Sequence, residues 1–439
     1  MEWFVPLVSI LSGVLLLFLL GVPVAFSFLF VNIVCVYVLW GGASGLDQLI
    51  LSIYRSVSNF SLIPIPLFVL MGEIMFLSGI APKMMDTVDR MLGKLPGRLG
   101  LLAVGGGALF ATLSGSAMSG CAMLGSVLVP EMEKRGYQKQ MSLGPILGSG
   151  GLAIMIPPSA LGVLLAALGR FSVGGLLIAI IVPGLLMALL YALYIVGRAW
   201  LQPHLAPSYP VARVSLREKL ILTAKYVLPL GIIVFLVVGL MFIGLATPTE
   251  SAALGVFGCL ALAVVYNRKL DLKVTARSFR NALRITVMMF MILSGSTAFS
   301  QILAYTGATR GLIQMAVAPD LPPMAIVVCM MATLLVMGAF MEPLTIMMIT
   351  LPVFMPIVKS LGLDPLWFGV IMLLNMEMAT TTPPFGLVLF VMKAVAPPDT
   401  RMSDIYWAAI PFLVCDAVVM ALLIAFPAVA LWLPGLMRG

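Results

Sequence analysis

The apolar runs of this chain are too long and too numerous for a soluble core. The first extends from Phe4 to Trp40 with hardly a polar side chain. As one straight helix it would reach about 55 Å, against a hydrocarbon layer of ~30 Å. Gly21-Val22-Pro23 supplies a break, so the run reads as two spans. Composition agrees: 62% of the 439 residues are hydrophobic, 10% are charged, and mean hydropathy is +1.15. A soluble domain is about a quarter charged. In lipid every backbone polar group must be paired within the protein, and runs of this length do so as helices. The fold class is therefore an all-α integral membrane protein. The N-terminal MEWFVPLVSI has no basic region before its apolar stretch and reads as the first span rather than a cleaved signal. The net charge of +8 sits in short loops, the pattern of a membrane protein and not of a nucleic-acid binder. The five cysteines are single, and the one histidine, His204, lies in a polar loop. That leaves no His-based metal site or Ser-His pair in the membrane, so no catalytic residue is assigned and an enzyme is not expected.

The apolar segments form two sets of six. The first set is 4–40 (two spans), 50–80, 99–129, 140–169 and 173–196. A Pro-rich, then basic linker, 198–225, separates it from 226–245, 251–266, 285–305, 323–357, 367–395 and 405–433. Residues 1–197 and 226–439 thus read as two repeats. Two stretches match at one constant offset: Pro130 with Pro356, Gly136 with Gly362, and Pro157-Pro158 with Pro383-Pro384. Proline removes a donor and pushes the preceding residue out of the helical region. Doubled prolines near the middle of apolar segments 140–169 and 367–395 therefore predict two re-entrant helical hairpins with non-helical tips. Proline-kinked spanning helices are the competing reading. With hairpins there, each half crosses five times and the repeats are inverted. Loops 81–98, 198–225 and 267–284, with both ends of the second hairpin, then share one face and most of the 25 Lys and Arg. The other face keeps Arg55, Lys134, Arg135, Lys139, Arg170, Arg310 and Arg438. The basic face should be cytoplasmic, which makes 198–225 a cytoplasmic linker and points the first hairpin's mouth outward.

A helix that ends inside the membrane leaves free backbone groups. Its N-terminal end favours an anion, and its C-terminal carbonyls favour a hard cation such as Na⁺. Ser114-Gly115-Ser116 could meet the tip at Pro157-Pro158-Ser159, and Met341-Glu342-Pro343 could meet Thr380-Thr381-Thr382-Pro383-Pro384. Pro158, Ser159, Thr381, Thr382 and Pro384 are the candidates for binding a substrate carboxylate. Neither tip contains Lys or Arg, so an anion would be held by dipoles, hydroxyls and a bound cation. Glu73, Glu250, Glu342, Glu377 and Asp416 lie in apolar spans, where a carboxylate calls for a functional account. Glu342 and Glu377 are nearest the breaks.

The strings LSGSAMSGCAMLGSVLVPEMEKRGY, GSGGLAIMIPPSALGVLL, ATPTESAALG, MEPLTIMMITLPVFMPI and TTPPFGLVLFV, in that order, resemble the large membrane subunit of tripartite ATP-independent periplasmic (TRAP) transporters. The resemblance covers essentially the whole chain and looks like the unfused form of that subunit. It implies an inverted-repeat, elevator-type secondary transporter of the bacterial inner membrane, with scaffold and transport domains interleaved along the chain. It implies Na⁺ as coupling ion, an organic acid as substrate, and no other cofactor. Its partners would be a small four-span membrane subunit, a periplasmic solute-binding protein and membrane lipid, with no nucleic acid. Carried over by position, the cation sites fall at Ser114, Gly115, Ser116, Gly150 and Pro157, and at Met341, Glu342, Thr380 and Pro383. A stand-alone sodium/carboxylate symporter would share these features. A non-transporting scaffold has no need of doubled polar breaks.

Overall fold

The computed structural model describes residues 3–77, 80–93, 95–114, 117–207, 215–267, 272–317 and 321–437, and among them all regular structure is helical. The first half supplies α1 (Phe4–Leu19), α2 (Val24–Leu39), α3 (Ala43–Val57), α4 (Pro64–Leu77), α5 (Ile80–Leu92), α6 (Arg98–Ser114), α7 (Ala117–Lys134), α8 (Lys139–Met155), α9 (Ala160–Gly169), α10 (Val173–Ala179) and α11 (Ile181–Leu201). The second half opens with α12 (Leu216–Leu222), α13 (Leu228–Val234) and α14 (Leu240–Phe242), joined by two π-helical stretches into one rod. It continues with α15 (Pro248–Asn267), α16 (Leu272–Tyr305), α17 (Ala308–Val317), α18 (Pro323–Gly338), α19 (Pro343–Ser360), α20 (Pro365–Thr381), α21 (Leu387–Val395), α22 (Met402–Ala425) and α23 (Ala428–Gly435). The run 4–40 is two helices, as expected, parted where Gly21 takes φ +78° and Pro23 is extended.

The helices gather into two bodies. In one, α4 packs on α15 and α16, and α2 and α3 pack on α16. The other is built on α8 and α20, which touch each other; α8 also packs against α6, α7, α11 and α22, and α20 against α18 and α22. Every residue of α8 from Met141 to Met155 is buried, and so is every residue of α20 from Trp367 to Thr381. Lipid is as apolar as Leu, so burial alone does not drive such packing; close backbone approach and polar links do. Small residues provide the approach: Gly144 and Gly148 of α8 sit under the ring of Phe412. Polar links follow, with Trp367 Nε1 donating to Leu423 O (2.7 Å) and Asn375 Nδ2 to Met331 O (2.9 Å).

The hairpins lie one segment earlier than the doubled prolines suggest. Gly100 of α6 meets Pro145 of α8 and Gly107 meets Ser149, so α6 and α8 run parallel. Gly150 of α8 meets Ala117 at the start of α7, while a short turn through Gly136 (φ +82°) joins the end of α7 to the start of α8. The helices α7 and α8 are thus antiparallel, and α6–α7 folds back on itself. The second half repeats this. Asn375 and Ala379 of α20 meet Met331 and Gly338 of α18, which makes α18 and α20 parallel. The rings of Phe354 and Phe368 pair at 6.4 Å beside the turn at Gly362, which makes α19 antiparallel to both. The two hairpins are α6–α7 and α18–α19.

The segments 140–169 and 367–395 are instead broken spans, and the expectation of hairpins there is corrected. The axis from α8 to α9 bends by only 44°. In the second half, Cys121 and Gly125 of α7 face Val388 and Val395 of α21, so α21 carries on in the direction of α20. Proline deletes a donor and blocks one conformation, but it does not set the angle at which the chain resumes. Both Pro-Pro bonds are cis. The correction reverses the mouths: α6–α7 opens on the basic face and α18–α19 on the opposite one. It also moves Lys134, Arg135 and Lys139 to the basic face. Among the described residues, only Arg55, Arg170, Arg310 and Lys359 remain on the other, a sharper asymmetry than the sequence assignment gave.

Candidate functional site

Both hairpin tips and both broken spans meet at one cavity of about 380 Å³. The first residue of four helices lines it: Ala117 of α7, Ala160 of α9, Pro343 of α19 and Leu387 of α21. Each helix start carries unpaired N–H groups and about half a positive charge. Four such ends on one small space make a field for an anion without any side-chain cation. Among the described lining residues, the hairpins and broken spans contribute no Lys or Arg. They contribute one carboxylate, Glu342. It occupies the N-cap position of α19 but does not cap the helix, and its half-buried side chain makes no hydrogen bond among the described residues. An uncommitted carboxylate beside four helix starts suits a cation bound next to an anion.

The opposite wall comes from α4 and α16. Asn281 Nδ2 donates to Glu73 Oε2 (2.9 Å), and Arg277 stands one turn earlier on α16. Arg277 lies near the start of α16, so the cavity reaches the basic face. A wider basin of about 1400 Å³ lies on the opposite face. Along α16 the cavity extends to Met289 and the basin begins at Leu293. The barrier between them is one helical turn, about 6 Å. Helix α9 crosses it, with Ala160 and Leu161 on the cavity side and Ala166 to Leu168 on the basin side. Both α4 and α16 pack against α9, and at this level Ile65 of α4 is fully buried and Ile292 of α16 is 2% exposed.

Of the expected site residues, Pro158, Glu342 and Thr380 line the cavity. Ser159 is buried just behind it, where its hydroxyl accepts from Gly162 N (3.1 Å) and caps α9. The three threonine hydroxyls turn back to the end of α20. Thr380 donates to Glu377 O (2.8 Å), and Thr381 and Thr382 both donate to Met378 O (3.1 and 2.6 Å). They pair helix-end carbonyls while their oxygens keep acceptor capacity. Met341 and Pro383 are half-buried, Pro157 and Gly150 buried, and Pro384 exposed with its carbonyl accepting from Tyr406 (2.8 Å); none of these lines the cavity. Gly115 and Ser116, with the side chain of Ser114, lie outside the described residues. Residues next to the expected meeting points do approach: Ala117 meets Gly150, and Phe340 pairs with Phe385 at 5.6 Å. Sequence reasoning missed Arg277 and Asn281. Glu73 was visible as an acid in an apolar span, but its partner is remote in sequence.

The other intramembrane acids stand apart. Glu377 and Asp416 are buried together behind the second break, and Tyr191 donates to Asp416. Glu250 accepts from Thr247 N and Oγ1, both at 2.8 Å, and closes the start of α15.

Comparison with known proteins assigns the family. Residues 11–429 match the model of the "Tripartite ATP-independent periplasmic transporter, DctM component". The chain is 33% identical over 389 residues, 88% of its length and 89% of the relative's, to the C4-dicarboxylate TRAP transporter large permease protein DctM of Pseudomonas aeruginosa. It is 28% identical to the sialic acid TRAP transporter large permease protein SiaM of Vibrio cholerae, covering 99% of both chains. The crystal structure of the YdaH transporter of Alcanivorax borkumensis superposes with a TM-score of 0.62 at 16% identity, covering 88% of this chain and 89% of that one. That likeness concerns the fold alone. The relatives are permease subunits and not enzymes, and the repeated apolar helices are those of a multi-pass bacterial inner-membrane protein. The chain belongs to the tripartite ATP-independent periplasmic transporter family, as its large membrane permease subunit.

Proposed function

We propose that this subunit carries an organic acid inward, coupled to Na⁺, by an elevator movement of the α8/α20 body against the α4/α16 body. The observation that carries the reading is the convergence of four helix starts on a cavity whose hairpin and broken-span wall has no basic side chain but one free carboxylate. The acid's carboxylate takes free N–H groups in the first turns of α7, α9, α19 and α21; in α19 these belong to Leu344 and Thr345, because Pro343 has none. Na⁺ takes carbonyls and hydroxyls at the breaks, with Glu342 beside it, and neutralises part of the charge brought in. Solute and ion then stabilise each other, which is the physical content of coupling. Ser114, Gly115, Ser116, Gly150, Pro157, Met341, Glu342, Thr380 and Pro383 form the proposed cation sites. Pro158, Ser159, Thr381, Thr382 and Pro384 form the proposed solute side of the breaks.

The antiparallel passage of the α8–α9 and α20–α21 spans supports an inverted repeat: Gly151 meets Glu377, and Gly162 meets Leu373. Taking the basic face as cytoplasmic, the cavity is open inward with a barrier one turn thick toward the periplasm. The family's tripartite build supports a small membrane subunit, of four spans, and a periplasmic binding protein that delivers the acid. Relatives named for C4-dicarboxylates, sialic acid and isethionate support an anionic solute class. The test is to identify the acid by thermal shift of the binding protein. A Ser119→Cys variant, with its cysteine in the cavity, is then labelled with maleimide. The acid should slow labelling only when Na⁺ is present. Equal protection without Na⁺, or none with both, rejects the coupled site.

A further inference from the structure

We infer that the basin on the face opposite the basic one is a second anion site, an antechamber that takes carboxylate or sulfonate solutes before they reach the central cavity. This rests on the proposed orientation, in which that face is periplasmic. Among the described residues, four cations lie on that face, and two of them, Arg55 and Arg170, line this one recess. No Asp or Glu lines it among the described residues. Neither arginine has an ion-pair partner within 4 Å among the described residues. Positive charge is disfavoured on a translocated face, so two unpaired arginines in one recess call for a role there. A recess walled by low-dielectric protein focuses their field.

Three more observations point to a ligand. The rest of the wall is rich in neutral donors, among them Gln48, Asn59, Thr249, Thr297 and Gln301. Two lining groups are buried with no hydrogen-bond partner among the described residues, Ser52 Oγ and Trp40 Nε1, and both can donate. Arg170 is also the one non-glycine among the described residues with positive φ, +57°. A left-handed C-cap after α9 is normally a glycine position. Keeping arginine there costs backbone energy, and such costs persist mostly where a side chain is needed. The two arginines belong to different bodies. Arg55 ends α3, on the body of α4 and α16, and Arg170 ends α9, which crosses the barrier to the central cavity. A solute bridging both would sit where movement of α9 opens its path inward.

The probe is a charged thiol reagent, so the test needs no knowledge of the natural solute. In a full-length variant whose five native cysteines are replaced, Thr297→Cys reports from the basin wall. Anionic methanethiosulfonate ethylsulfonate and its cationic trimethylammonium analogue are applied from outside to intact cells. The anionic-to-cationic rate ratio should fall about tenfold when Arg55→Gln and Arg170→Gly are combined, as expected for charges roughly 10 Å away through partly wet protein. The effect should shrink in 0.5 M salt, roughly three times the physiological ionic strength. Arg55→Lys should keep most of the ratio, and Arg170→Gly relieves the backbone, so neither tests folding alone. In uptake assays the double variant should raise KM severalfold and leave kcat near its starting value. An unchanged labelling ratio, or labelling only from the cytoplasmic side, overturns the antechamber. A changed ratio with uptake that ignores Na⁺ keeps the antechamber and rejects the coupled central site.

Discussion

Replacing Gly386 by alanine should damage ion binding more than folding, and the size of the effect follows from the second break. Gly386 is the N-cap of α21, with φ −50° and ψ 124°, values that alanine adopts freely. The difficulty is space. A Cβ there would stand 2.6 Å from Thr380 O and 2.9 Å from Thr382 O. Both are backbone atoms at the end of a buried helix, so no side chain can swing aside. Restoring ordinary contact moves those carbonyls by about half an ångström, and such overpacking costs roughly 1–3 kcal/mol. The same carbonyls border the proposed Na⁺ site, where a hard cation needs its oxygens at defined distances. The concentration of Na⁺ for half-maximal uptake should therefore rise about tenfold, with less than a twofold change in expression. Gly197→Ala is the control. A Cβ there has nothing within 4 Å, and mid-helix alanine should be neutral or stabilising by up to ~1 kcal/mol. Uptake by proteoliposomes across a Na⁺ series reads both. If Gly386→Ala gives the wild-type Na⁺ curve, the carbonyls of the second break are not ligands and the assignment fails.

Three further outcomes are expected. Glu342→Gln removes a half-buried charge beside the proposed cation and should shift Na⁺ activation by at least about tenfold, at an effective dielectric near 20; an unchanged curve makes the acid structural. Ser159→Ala removes the cap of α9, worth about 1 kcal/mol, and should lower uptake at matched expression while Ser159→Thr keeps it, as Thr382→Ala should lower it at the other break; full uptake by the alanine variants removes these hydroxyls from the site. Lys139 ties the two halves together at the basic face, reaching Glu133 (2.9 Å), Asp399 (2.8 Å) and Thr400 Oγ1 (2.8 Å). Its ammonium holds the Asp399 carboxyl below the usual range, so this contribution is present above the unfolded pKa of about 4 and is lost as pH falls through the lower folded value. Lys139→Ala should lower thermal stability more at pH 7 than near pH 2, where only the bond to Thr400 is left to lose, and an equal loss at both values contradicts the ion pair.

The amino-acid pattern carried much of this account, for reasons that can be named. Apolar run length marks the spans, and doubled prolines mark the breaks, because both act over a few neighbouring residues. What the pattern does not hold is direction. Pro157-Pro158 ends α8, but whether α9 turns back or goes on depends on what it packs against, chiefly α4, α19 and α20 beyond its chain neighbour α10. Reversal falls between α6 and α7 and at 339–342, where no doubled proline marks it. In sequence Ser114-Gly115-Ser116 sits inside the apolar segment 99–129, and a small polar run looks the same in a kink and in a tip. Charge gave a second check that misled only in detail. Placing Lys134, Arg135 and Lys139 on the basic face needs the α6–α7 hairpin, and the helix directions supply it. The wall opposite the breaks was out of reach, because Glu73 and Asn281 belong to different halves and only the packing of α4 on α16 joins them.

The account stands most directly on transport by the assembled system. Proteoliposomes holding this subunit and its small membrane partner, with the acid-loaded binding protein outside, should accumulate the acid only when an inward Na⁺ gradient is imposed. Removing either the gradient or the binding protein should abolish accumulation. Accumulation that persists without Na⁺, or from free acid with no binding protein present, contradicts the proposed mechanism.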